Sequence, residues 1–136
     1  MKLEIPEVKK LVQEMVMPIR WGDMDAMGHL NNASYMRFME TIRIEWFTRI
    51  GCDPNPQGQG PVIVNAFCNF YRQLEYPGDV RVKKYVSDPG RTTFETWTTM
   101  AFLLSKSSKM RMAPTNFLSS IRLININNNS ITWMVM

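Results

Sequence analysis

Between Ala33 and Ile50 the apolar residues Tyr35, Met39, Ile42, Trp46 and Ile50 recur every three or four positions, while Arg37, Glu40, Thr41, Arg43, Glu45, Thr48 and Arg49 largely fill the other side. That period places the apolar set on one face, so the segment predicts a single long helix with one buried stripe. Asn31 or Asn32 can cap its start by accepting hydrogen bonds from unpaired N–H groups. Gly51 can close its end in the left-handed conformation.

The segments around this helix have the composition of strands. Met15–Trp21 reads as a strand interrupted at Pro18, which fits an edge position or a bulge. Residues 53–60 have the Pro and Gly content of a loop, and a long strand begins near Pro61 and runs to Arg72. Tyr76-Pro77-Gly78-Asp79 has Pro and Gly where a type II turn wants them. It leads into Val80, Val82, Lys84 and Val86 alternating with Arg81, Lys83 and Tyr85, and the whole reads as a hairpin. Asp88-Pro89-Gly90 is a second turn, before the Thr-, Phe- and Trp-rich strand Arg91–Met100. Further on, Ile121–Ile126 and Ile131–Met136 flank an Asn-rich stretch as the arms of a hairpin do. The order is strand, helix, then consecutive antiparallel strands, and 136 residues fit one domain.

Several function classes are excluded by composition. No stretch approaches the roughly 18 to 20 consecutive apolar residues of a membrane span. The opening residues mix Lys2, Lys9 and Lys10 with Glu4, Glu7 and Glu14, the wrong chemistry for the apolar centre of an export signal. With Cys52 and Cys68 read as free thiols, a cytoplasmic location is expected. The net charge of +4 arises entirely after Glu95, from Lys106, Lys109, Arg111 and Arg122 without a single acid. Four sparse charges with no aromatic stacking pattern do not make a nucleic-acid surface.

Polar residues concentrate between Arg20 and Asn32, just ahead of the helix. Asp23-Met24-Asp25 and Gly28 imitate the opening of a calcium-binding loop, but Met27 and Ser34 stand where oxygen ligands and a bidentate Glu are required. Zinc is equally poorly served, because His29 is the only histidine and the cysteines lack paired-ligand spacing. A Cys/His nucleophile pair rests on residue type alone. The helix start is more informative, since its unpaired N–H groups and macrodipole stabilise negative charge. Asp25 lies seven residues before Asn32. If both face one cavity, the carboxylate can attack or activate water while the N–H holds an oxyanion, which is acyl-transfer chemistry. The plainer reading of Asp25 is a turn residue or a partner of the helix dipole.

Arg20-Trp21-Gly22-Asp23-Met24-Asp25, then Gly28-His29-Leu30-Asn31-Asn32 with Tyr35, Glu40 and Arg43, closely resembles the 4-hydroxybenzoyl-CoA thioesterase-like hotdog family. The likeness continues less closely through Gly60–Asp79 and from Pro89-Gly90-Arg91 to about Met100. The resemblance implies an α+β hotdog fold, with a long central helix wrapped by an antiparallel sheet of about five strands. It also implies an acyl-CoA substrate, no separate cofactor, no metal, and self-association to a dimer or tetramer with active sites at the subunit interface. Carried over by position, it makes Asp25 the catalytic carboxylate and Asn32 the carrier of the polarising backbone N–H. His29 lines the thioester or bonds a neighbour. Asn31, Tyr35 and Asp23 are placed near substrate, Asp23 as an orienting partner for Arg20, and Arg91 is the first cation expected on the CoA phosphates. Arg72, Arg81, Lys83 and Lys84 are further cations, read first as an exposed strand face.

From about Phe102 the composition turns to acid-free Ser, Asn and Met, unlike the family. Residues 1–101 are therefore read as family-like and 102–136 as an atypical end, frameshifted or replaced. An end that supplies no strand leaves the sheet with an unpaired edge. Besides a thioesterase, the chain fits a non-catalytic module that binds acyl-CoA or an acyl-carrier protein. A hotdog hydratase is a third reading, with no signature of its own here.

Overall fold

The helix begins and ends where its flanking residues dictate. In the computed structural model, which describes residues 4–52, 60–103 and the backbone of 117–125, helix α1 spans Asn32–Arg49. The Asn31 side chain caps it by accepting the Ala33 N–H at 2.9 Å. At the other end Gly51 adopts φ +76°. There the N–H of Gly51 donates to the Thr48 carbonyl at 3.0 Å and that of Cys52 to the Phe47 carbonyl at 2.8 Å, a Schellman closure.

Around α1 lie strands β1 (Lys10–Ile19), β2 (Pro61–Phe70), β3 (Gly78–Ser87), β4 (Thr93–Leu103) and β5 (Phe117–Asn125). They form one antiparallel sheet in the order β1-β3-β4-β5-β2. This is the hotdog fold. Met17 and Ile19 of β1, Val80, Val82 and Val86 of β3, and Phe94 and Met100 of β4 close over Tyr35, Phe38, Met39, Ile42, Trp46 and Phe47 of α1. Pro18 sits on edge strand β1, where its missing N–H costs no ladder bond. Strand β1 starts earlier than its composition suggests, at Lys10, and a register shift between Leu11 and Gln13 accommodates that polar stretch.

One sequence expectation changes, and one left open is answered. Residues 76–79 do not join β2 to β3 as a hairpin, because β2 pairs with β5 at the far side of the sheet. The Tyr76–Pro77 peptide bond is cis. The hairpin of neighbours is β3–β4, turning through Asp88-Pro89-Gly90. The strand read from Ile121 is present within Phe117–Asn125, which pairs with β4 on one side and β2 on the other. The loop expected at 53–60 lies, except for Gly60, outside the described residues, as does the strand expected at 131–136. Among the described residues no helix is long and apolar enough to cross a membrane.

The largest departure concerns Lys84. Alternation puts it with Val80, Val82 and Val86 on the face that meets the helix, and it is 0% exposed rather than part of a solvated strand face. Its ammonium donates to the Thr96 hydroxyl at 3.2 Å, and the nearby Thr98 hydroxyl is buried without a partner. The facing charge on α1 is Arg43, itself paired with Glu40 at 3.9 Å; β1 offers Gln13 opposite Lys84. Among the described residues no carboxylate is paired with Lys84. Burial, and then the Arg43 charge, lower its pKa from 10.5 to about 7.

Between those two values the unfolded chain binds a proton that the folded chain lacks. Stability therefore rises with pH through that window, and the penalty is fully present below it. Urea unfolding should show a gain on the order of 4 kcal/mol between pH 6 and pH 10 attributable to this residue. In a Lys84→Met variant that slope should disappear, with a higher midpoint at pH 6. An unchanged slope would show that Lys84 is not held neutral inside the fold.

Candidate active site

Between β1 and α1 the chain makes two tight turns. The first is one turn of 3-10 helix, Trp21–Asp23, in which the Asp23 carboxylate accepts the Arg20 N–H at 2.8 Å. The second is the three-residue loop Ala26-Met27-Gly28, closed between Asp25 and His29. Asp25 N–H donates to the His29 carbonyl at 2.7 Å and Gly28 N–H to the Asp25 carbonyl at 3.2 Å. Gly28 has φ +77°, the left-handed position that this loop length asks of glycine. The Asp25 carboxylate braces the same loop, its Oδ1 accepting the N–H of Met27 at 2.8 Å and of His29 at 3.0 Å. Its Oδ2 has no hydrogen-bond partner among the described residues.

This loop is anchored to the helix start and to the segment before β3. Leu30 N–H donates to the Leu74 carbonyl at 2.7 Å and Asn31 N–H to the Asp23 carbonyl at 2.9 Å. The buried Ser34 hydroxyl donates to that same carbonyl at 3.1 Å. The first-turn donors of α1 can then be followed one by one. Ala33 N–H goes to the Asn31 side chain and Ser34 N–H to the Asn31 carbonyl. Asn32 N–H is left without an intrahelical acceptor.

Asp25, His29, Asn32 and Tyr35 line one cleft of about 650 Å³. Opposite them stand Phe70, Tyr71, Arg72 and Gln73, where β2 ends. Tyr35 is buried, and burial raises its phenol above its ordinary pKa against a hydrogen bond to the Leu74 backbone. It stays protonated at neutral pH and forms a wall, meeting Phe70 edge-on at 5.1 Å. Asp25 also borders a second cleft of about 580 Å³, with Trp21, Met24 and Tyr76.

Three of the expected residues lie elsewhere or are otherwise engaged. Asp23 holds the turn and the helix start and borders a separate groove with Arg20 and Arg37. The Asn31 side chain is occupied as the helix cap. Arg91 is exposed in the β3–β4 turn, at the end of β3 away from Tyr76, about 30 Å along the strand. Arg72 does reach the cleft. Phe70, Tyr71 and Gln73 carry no local motif, and only the return of β2 to the helix start brings them there. Among the described residues no group of three or more His, Cys, Asp or Glu side chains gathers around a common point for a metal.

Residues 19–109 match the thioesterase-like superfamily, and the chain belongs to that superfamily. No curated protein matches it. Among solved structures, a candidate thioesterase from Pseudomonas aeruginosa superposes with a TM-score of 0.75 at 25% identity, over 89% of this chain and 90% of that one. A candidate acyl-CoA thioesterase from Xanthomonas campestris gives 0.73 at 23% identity, over 89% and 98%. A mutant of 4-hydroxybenzoyl CoA thioesterase, complexed with 4-hydroxybenzoyl CoA and carrying an Asp-to-Asn change, gives 0.69 at 15%, over 83% and 82%.

Glycines 28 and 51 share a left-handed backbone, which makes them a matched pair for testing the loop. Alanine at either should cost about 1 kcal/mol in thermal or urea unfolding. Only Gly28→Ala should also shift the N–H groups that hold Asp25, lowering thioester turnover by roughly tenfold. Equal turnover in the two variants would detach the loop from the chemistry.

Proposed function

We propose that the protein hydrolyses the thioester of an acyl-CoA to the free acid and CoA. One observation carries the reading: the Asp25 carboxylate and the N–H end of α1 at Asn32 border the same cleft. A thioester carbonyl placed between them has its oxygen at the helix start, where a backbone N–H and the macrodipole meet developing negative charge. Its carbon then faces Asp25. The unpartnered Oδ2 either attacks that carbon, expelling the CoA thiolate and forming an anhydride that water then hydrolyses to the free acid, or takes a proton from a water that attacks the carbon and expels the same thiolate. The Asp-to-Asn enzyme captured with 4-hydroxybenzoyl CoA supports a carboxylate in this role. The resemblance in sequence supports it at Asp25.

Asp25→Asn should lower thiol release from acyl-CoA by roughly a thousandfold or more, with folding retained. Two substitutions at Asn32 separate side chain from backbone. Asn32→Ala keeps the N–H and should stay within a few-fold of wild type. Asn32→Pro deletes it at the first helical position, where proline is tolerated, and should cost about a hundredfold or more in kcat. Turnover unchanged in Asp25→Asn would remove that residue from the mechanism. Binding without turnover by the folded wild type would favour the non-catalytic module.

Self-association belongs to the same reading. Strand β2 pairs only with β5 among the described residues, and Val62, Ile63, Val64 and Phe67 on it are close to half exposed. A long apolar edge of this kind is normally covered. A second copy aligned along β2 covers it and closes the cleft that begins where β2 ends, at Phe70. Light scattering on Val64→Lys should show a monomer where wild type is a dimer or larger. A wild-type monomer at micromolar concentration would contradict this part.

A further inference from the structure

Asp25 stands where two clefts of unlike chemistry meet, and a CoA thioester has two arms of unlike chemistry. The 650 Å³ cleft holds Arg72 beside the helix start. Among the described residues the 580 Å³ cleft is lined by no cation; its side walls are Trp21, Met24 and Tyr76 around Asp25 and two glycines. Trp21 is 79% exposed and Tyr76 48% exposed, so two large aromatic surfaces are held in water next to the carboxylate. Their positions follow from local structure: Trp21 opens the 3-10 turn, and Tyr76 follows the segment fixed by the Leu30–Leu74 hydrogen bond.

We propose that Trp21 and Tyr76 are the specificity-determining wall for the acyl group, which is planar and apolar, while the CoA arm leaves through the Arg72 cleft. The assignment rests on the thioesterase reading above and divides its substrate between the two clefts. Charge favours this direction: the phosphates of CoA gain from Arg72, whereas the one charged side chain among the described residues of the other cleft is the Asp25 carboxylate. Shape favours a planar group, because indole and phenol faces stack on flat rings and an exposed, shallow wall does not enclose a long flexible chain. The charged group among the described residues of the acyl cleft is Asp25 itself, at the end where the carbonyl carbon must lie.

The test uses affinity as well as turnover. Benzyl-CoA, a thioether with no carbonyl to hydrolyse, is compared with CoA by calorimetry on wild type, Trp21→Ala, Tyr76→Ala and Arg72→Ala. Wild type should bind benzyl-CoA about tenfold or more tightly than CoA, from ring stacking and the apolar area covered. Either aromatic substitution should remove most of that difference and leave CoA affinity unchanged. Arg72→Ala should weaken both ligands together. In turnover, the kcat/KM ratio of benzoyl-CoA to acetyl-CoA should fall by a similar factor in Trp21→Ala. Trp21 is exposed, so its variant is expected to keep the wild-type melting temperature.

A benzyl increment unaffected by Trp21→Ala and Tyr76→Ala, or one lost instead in Tyr71→Ala, would overturn the assignment. The thioesterase reading fails separately, when wild type releases no thiol or Asp25→Asn does so normally. The calorimetric comparison still decides the location of the acyl arm in that case.

Discussion

The site depends on one carbonyl oxygen. Asp23 presents it to both the N–H of Asn31 and the hydroxyl of buried Ser34, and these two hydrogen bonds tie the helix start to the preceding turn. Once the helix start is fixed, the Asp25–His29 loop is tied to the segment before β3 through Leu30, whose N–H is taken by the Leu74 carbonyl. The catalytic carboxylate we assign is thus placed by backbone hydrogen bonds on rigid elements rather than by a long flexible side chain. Such placement limits the reorganisation needed when charge develops on a carbonyl oxygen.

Local features of this arrangement are written in the sequence. Asn31 and Gly51 mark the helix ends because capping chemistry acts within a few residues. Gly28 marks the loop because few residues other than glycine take its φ without strain. Alternation along β3 also assigns the correct face to Val80, Val82 and Val86. The same alternation puts Lys84 on that face, but no local pattern says whether a face is covered, and the lysine's burial depends on α1 lying across it.

Nonlocal pairing is less legible. Strand β2 is followed in sequence by β3, yet its neighbour in space is β5, more than forty residues on. That crossover carries Phe70–Gln73 to the helix start and leaves Arg91 at the other end of the sheet. An end of unlike composition still supplies a strand: the Phe117–Asn125 backbone enters the sheet between β4 and β2, and a ladder between two strands needs backbone groups more than any particular side chain. The interior tolerates a lysine without a counter-charge at a cost in stability. The exposed apolar edge of β2 is a second liability.

The central claim is that Asp25 and the Asn32 N–H act on one carbonyl. Its most direct test is a crystal structure of the Asp25→Asn protein with an intact acyl-CoA. The account predicts a thioester oxygen roughly 2.7–3.1 Å from the Asn32 backbone nitrogen, with the carbonyl carbon facing residue 25. A thioester bound with its carbonyl away from the helix start, or in a cleft that excludes residue 25, would contradict it.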